Sequence, residues 1–105
     1  MNRDLGALSD LVARVSDICA QRNDIARDDD WYLLKLQEEL GELTAEYLKL
    51  SARARAKGAA PEAIRVALED EAADVLAMVL LFARNNQIDL AAALERKWFK
   101  HLPQN

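Results

Sequence analysis

Along most of this chain apolar residues recur at steps of three and four, and almost nothing interrupts them: 105 residues contain only three Gly and two Pro. That period puts the apolar side chains of a helix on one face, and Ala, Leu, Glu and Arg, which dominate the chain, favour helix over strand. Leu5, Leu8, Leu11, Val12, Val15, Ile18 and Cys19 predict a first helix from about Leu5 to Ala26. Asp28-Asp29-Asp30 then supplies N-cap and dipole-complementing residues ahead of Trp31. The second helix continues to about Ala56, and its seam of Leu33, Leu36, Leu40, Leu43, Tyr47 and Leu50 is expected to face the core.

Lys57-Gly58-Ala59-Ala60-Pro61 reads as the one clear linker, with Gly as a stop and Pro in a first helical turn. The third helix, Pro61 to about Asn85, becomes apolar on every side from Val75 to Phe82, so it calls for burial all round. Three or four helices from one small chain can hardly cover it, which predicts a homo-oligomer. Asp89 caps a short last helix from Leu90 to about Lys100. The expected fold is all-α: residues 1–105 form a single domain, an antiparallel bundle of about four helices.

A net charge of −4 and a pI near 4.9 argue against binding nucleic acid through general positive charge. The lone cysteine, Cys19, rules out an intrachain disulfide and reads as a buried small hydrophobe. No basic-then-apolar leader opens the chain, and the longest apolar run is too short to span a bilayer. A cytoplasmic protein without a membrane partner is expected.

Against this regular background the glutamates of the second helix stand out, because no base lies between Glu38 and Glu46. Glu39 and Glu42 form Glu-x-x-Glu; Glu71 and Asp74 form Glu-x-x-Asp on the third helix. Residues three apart share a helix face, and both pairs border the apolar seams. Antiparallel packing across a short linker brings the pairs together. Two unit charges about 5 Å apart at an effective dielectric of about 20 repel by about 3 kcal/mol. Proton uptake, a base or a bound divalent cation must offset that repulsion. Lys35, Lys49, Arg65 and Arg84 lie near helix ends, so a cation is the economical answer. All-oxygen ligands select Mg²⁺ or Mn²⁺, which commonly serve a phosphate substrate. A phosphoester or phosphoanhydride site using activated water follows. An acidic helix face that is simply solvated is the competing reading.

The words "KLQEELGEL" (Lys35 to Leu43), "EDEAADVLAMVLLFA" (Glu69 to Ala83) and "IDLAAALERKW" (Ile88 to Trp98) resemble the all-α nucleoside triphosphate pyrophosphatases of the MazG-like superfamily. The similarity runs from about Trp31 to Trp98. It implies cleavage of a (d)NTP to (d)NMP and pyrophosphate, a house-cleaning role, Mg²⁺ held by Glu39, Glu42, Glu71 and Asp74, and dimers or tetramers whose subunits together complete the site. Phosphoribosyl-ATP pyrophosphatases are the neighbouring alternative, but they usually carry a histidine four residues after the Asp, where this chain has Met78. Many members also have an Asn a few residues after the Lys that corresponds to Lys97; here His101 stands in that region.

Other residues admit two readings each. Arg53, Arg55 and Lys57 can meet the β and γ phosphates or complement a helix C-terminus, and Lys97 and Lys100 pose the same choice. Trp31, Tyr32 and Trp98 can stack on a nucleobase or fill the core. Glu46 can orient or deprotonate the attacking water, and Glu38 can be solvated beside Lys35. A non-catalytic helical interaction module is the alternative from another functional class.

Overall fold

The computed structural model describes residues 2–103, and within them all regular secondary structure is helical, with no strand. Its elements are α1 (Leu5–Arg22), α2 (Asp29–Leu50), α3 (Pro61–Asn85) and α4 (Leu90–Lys97), followed by a 3₁₀ turn (Phe99–His101). Three of the four helices start where a carboxylate can accept an otherwise unpaired backbone N–H. Asp4 accepts from Ala7 N at 2.8 Å, Asp28 from Trp31 N at 2.8 Å, and Asp89 from Ala92 N at 3.0 Å. Pro61 opens α3, where no N–H is needed.

Helix ends depart from the sequence expectation. α1 stops at Arg22 rather than near Ala26, and α2 stops at Leu50, six residues before Ala56. The cause is a shared terminator. Asp24, Ala52 and Gln87 take left-handed backbone angles, with φ of 52°, 61° and 51°. After each, the next N–H reaches back into the last turn: Ile25 N to Ala20 O, Arg53 N to Leu48 O, Ile88 N to Ala83 O. This is the Schellman arrangement, which usually places Gly at the left-handed position. None of these three is Gly, so at Asp24 and Ala52 the sequence alone gave no stop signal, whereas the end of α3 at Asn85 matches the expectation.

α2 and α3 form the main antiparallel pair. The start of α2 lies beside the end of α3, where Asn85 Nδ2 donates to Asp29 Oδ1 at 3.0 Å. α1 crosses the C-terminal half of α3, fastened by Arg84, which donates to Ser9 Oγ at 3.2 Å and pairs with Asp10 Oδ1 at 2.8 Å. Arg27 ties the α1–α2 connection back to Ser16 and Asp17. The core is thin: Ala20, Ile64, Met78, Leu80, Leu81 and Ala83 are its buried apolar residues. Four of the six come from the second half of α3, as its all-round apolar pattern requires.

Two expectations about burial are corrected. In α2, Leu36 and Leu43 are half-buried, but Leu33, Leu40, Tyr47 and Leu50 are exposed, and the buried position is Glu39. One helix partner can cover only one face of α2, and that face is the one carrying Glu39. Likewise Cys19 is exposed, because α1 turns its small residues Ser9, Ala13, Ser16 and Ala20 toward its neighbours and leaves Val15 and Ile18 outside.

The radius of gyration is 16.6 Å, against about 13 Å for a compact chain of this length. The accessible surface is 8213 Å², some 2,300 Å² above the roughly 5,900 Å² that size scaling gives for this mass. Among the described residues no helix is long and apolar enough to cross a membrane.

Glycine carries no Cβ penalty in the left-handed region, where other residues lose roughly 1 kcal/mol. Gln87→Gly and Ala52→Gly are therefore each expected to stabilise the fold by up to about 1 kcal/mol, measured as a higher urea midpoint with an unchanged slope. Gln87→Val should move the midpoint the other way.

Candidate functional site

Midway along the α2–α3 pair, the two acidic motifs meet. Carboxylate oxygens of Glu39, Glu71 and Asp74 lie within 4.8 Å of one another, and so do those of Glu38, Glu39 and Glu42. Glu39 belongs to both groups and is the centre of the cluster. It is also the buried charged residue of the fold, 9% exposed. Glu71 is half-buried, while Glu42 and Asp74 are exposed at the mouth. Two oxygens, Glu39 Oε2 and Glu71 Oε2, are sealed from solvent without a hydrogen-bond partner.

Such an arrangement disfavours the fully ionised state. Burial raises the Glu39 pKa, and the charges of Glu42 and Asp74 raise it further, while Lys35 pulls the other way. Burial also comes first for Glu71, followed by Glu42 and Asp74, with a smaller push from Glu46. An unpaired carboxylate oxygen shielded from water needs either a proton or a cation. These donors are all hard oxygens converging from two rigid helices, which suits Mg²⁺ or Mn²⁺.

Lys35 is the residue the sequence reading undervalued. Its Nζ lies 3.3 Å from Glu38 Oε1 and 3.7 Å from Glu39 Oε1, so a base does reach the cluster. Burial acts against its charge, but the Glu38 hydrogen bond and the charges of Glu38, Glu39 and Glu42 prevail and raise its pKa. The spacing Lys35–Glu38–Glu39, three and four residues, was the available signal. One ammonium against this many carboxylates leaves the cluster net negative. Lys49 is engaged elsewhere, 2.9 Å from Glu46 Oε1, which ties Glu46 toward the helix end. Glu38 is exposed beside Lys35, matching the solvated reading.

The remaining candidates are spread out. Trp31 is half-buried and meets Tyr32 edge-to-face, ring centres 5.1 Å apart at 85°. With Leu11, Val12, Val15, Met78 and Leu81 it lines an apolar groove of about 350 Å³, and Met78 is one helical turn beyond Asp74. Arg53, Arg55 and Lys57 are exposed on the α2–α3 connection, which begins roughly 12 Å along the helix axis from Glu42. Lys97, Trp98 and Lys100 are exposed past the opposite end of α3. Within one chain, the acids, Lys35 and the Trp31 groove are brought together; these basic residues are not.

No protein-family model, curated protein or solved structure matches this chain, so the chemistry of the site is argued from its own residues.

A carboxyl group whose pKa is raised by folding binds protons more tightly folded than unfolded, so its contribution to stability is complete below the ordinary value of 4.5 and is lost as pH rises through the raised value. The metal-free protein should accordingly melt at lower temperature as pH climbs from that value toward neutrality. Glu39→Gln should raise the metal-free melting temperature at neutral pH by a few degrees and flatten this pH profile. Differential scanning fluorimetry across a pH series reads both; a wild-type profile that rises toward neutrality contradicts the assignment.

Proposed function

We propose that this chain is a Mg²⁺-dependent nucleotide pyrophosphohydrolase that converts a (d)NTP to (d)NMP and pyrophosphate, in the manner its motifs resemble. The observation that carries the reading is the pair of buried, unpartnered oxygens of Glu39 and Glu71 on facing helices, within reach of Asp74. Their chemistry fits a hard divalent cation, with Glu39, Glu42, Glu71 and Asp74 as the residues that would hold it. Bound there, Mg²⁺ or Mn²⁺ supplies positive charge for the phosphate oxygens and lowers the pKa of water for attack at the α-phosphate.

The chain's own residues account for the rest. A cluster this acidic repels a free triphosphate, so substrate binding depends on the cation. Lys35, 3.3 Å from Glu38 and 3.7 Å from Glu39, offsets part of the cluster's negative charge. The groove walled by Trp31 and Met78 begins one turn from the acids and is nearly all apolar, a surface suited to the flat face of a nucleobase. Glu46 adds to the negative charge around Glu71 and in this reading would orient the attacking water once freed from Lys49. Arg53, Arg55, Lys57 and Lys97 are exposed but lie away from the acids within one chain, and in this reading they take no part in holding the departing pyrophosphate.

Met78 is buried, at the position where phosphoribosyl-ATP pyrophosphatases usually carry histidine, which favours the general nucleotide reading. A cytoplasmic house-cleaning role is part of the same proposal. The exposed apolar row of α2 favours a second reading, a helical interaction module without catalysis.

Incubation with a panel of NTPs and dNTPs plus Mg²⁺ separates the two. Monophosphate and pyrophosphate are the expected products, and Glu71→Gln should lower turnover by at least about a hundredfold without loss of helical circular dichroism. Release of orthophosphate, or no turnover by folded protein that shows a Mg²⁺-dependent thermal shift, would sink the pyrophosphohydrolase reading. EDTA should abolish activity, and Mg²⁺ or Mn²⁺ should restore it.

A further inference from the structure

Lys35 stands at the edge of the acid cluster in a chain whose other ion-paired bases are engaged elsewhere. Arg27 is held by Asp17, Lys49 by Glu46, Arg65 by Glu69 and Arg84 by Asp10. Among the described residues, Glu39 is the one member of the set Glu39, Glu42, Glu71 and Asp74 that meets a base, and that base is Lys35. Its hold on the two neighbouring glutamates is unequal. The ammonium donates to Glu38 Oε1 at 3.3 Å, but stands 3.7 Å from Glu39 Oε1, beyond hydrogen-bond length. Glu38 is therefore the anchor, and Glu39 feels only the charge.

Helix stability does not account for this contact. A Lys placed before its Glu is the less favourable order on a helix, and a solvated pair contributes little. The Glu38 side chain is 56% exposed, whereas that of Glu39 is 11% exposed. A nearby positive charge is thus worth most at Glu39, where water screens least. Yet Glu39 Oε2 and Glu71 Oε2 stay without a partner, so Lys35 offsets charge there without satisfying the buried oxygens. Its flexible four-carbon stem lets the ammonium shift between the two glutamates at little cost.

We infer that Lys35 is a built-in competitor of the divalent cation at this cluster, tethered by Glu38: its ammonium partly neutralises Glu39 in the cation-free protein and withdraws onto Glu38 when the cation binds. The inference rests on the cation reading of the acids given above. Two positive charges repel each other beside the same buried carboxylate, so the apparent affinity falls with the fraction of molecules in which Glu39 is free of Lys35. The glutamates of α2 then divide by role. Glu39 and Glu42 hold the cation with Glu71 and Asp74, and Glu38 holds the competitor. Glu38 is a positioning residue in this account, although one of its oxygens lies within 4.8 Å of those of Glu39 and Glu42.

Calorimetric titration of the full chain with Mn²⁺, without nucleotide and near neutral pH, tests it. Lys35→Met should bind Mn²⁺ at least about fivefold tighter than the wild type, while its metal-free melting temperature falls because the cluster has lost its counter-charge. A lysine that only supported the fold would not tighten binding when removed. Lys35→Arg, which keeps the charge, should stay close to the wild type, and Lys35→Gln repeats the measurement if Lys35→Met loses its helical circular dichroism. Glu38→Gln should weaken binding, because the ammonium then rests on Glu39. In the Lys35→Met background the same change should have no effect, the non-additivity of a residue that acts through another. Affinity that is equal or weaker in Lys35→Met overturns the inference alone, and so does a Glu38→Gln loss of the same size in both backgrounds, which would make Glu38 a ligand. Absence of Mn²⁺ binding in folded wild type and folded Lys35→Met alike overturns the cation reading itself and the inference with it.

Discussion

The repulsion between carboxylates on α2 and α3 is the constraint around which the rest of the molecule is organised. Glu39 and Glu71 occupy positions of the helix interface where an apolar residue would stabilise a lone pair of helices. Instead each buries an oxygen without a partner. Lys35 relieves part of the charge, and a proton or a cation must relieve the remainder. A fold that carries such a cost at the middle of its longest interface is under chemical demand there, which is why the centre of the α2–α3 pair, and not the larger surface loops, is the place to look for function.

The position of that cluster depends on what the neighbouring elements do. α2 presents one face to α3, and the residues on either side of it diverge in character: Trp31, Lys35 and Glu42 on one flank, Leu33, Leu40 and Tyr47 on the other. α1 packs over the first flank and, with Trp31 and Met78, walls an apolar groove that begins one helical turn beyond Asp74. The second flank stays bare: Leu33, Leu40 and Tyr47 are all exposed.

Much of this was legible in the sequence, for identifiable reasons. Helix starts were readable at Asp28 and Asp89 because a side-chain cap is a property of a few adjacent residues. The acidic pairs were readable because three-residue spacing alone puts two carboxylates on one face. Helix ends at Asp24 and Ala52 were not, since the left-handed conformation is held there by backbone bonds to Ala20 and Leu48 rather than announced by glycine. The Lys35 contact is written in its three- and four-residue spacing to Glu38 and Glu39, which outweighs its place near a helix end.

Local chemistry and tertiary placement therefore divide the account between them. The sequence by itself determined the all-helical character, the order of elements and the two Glu/Asp motifs, because periodicity and capping act within a few residues along one helix. Only the tertiary structure decided that one oxygen each of Glu39 and Glu71 is sealed while Glu42 and Asp74 remain open, that Cys19 is exposed, and that Leu33, Leu40 and Tyr47 face outward. Which side of an amphipathic helix is buried is a choice between faces, and that choice is made by the neighbour that packs against it, through contacts distant in the chain.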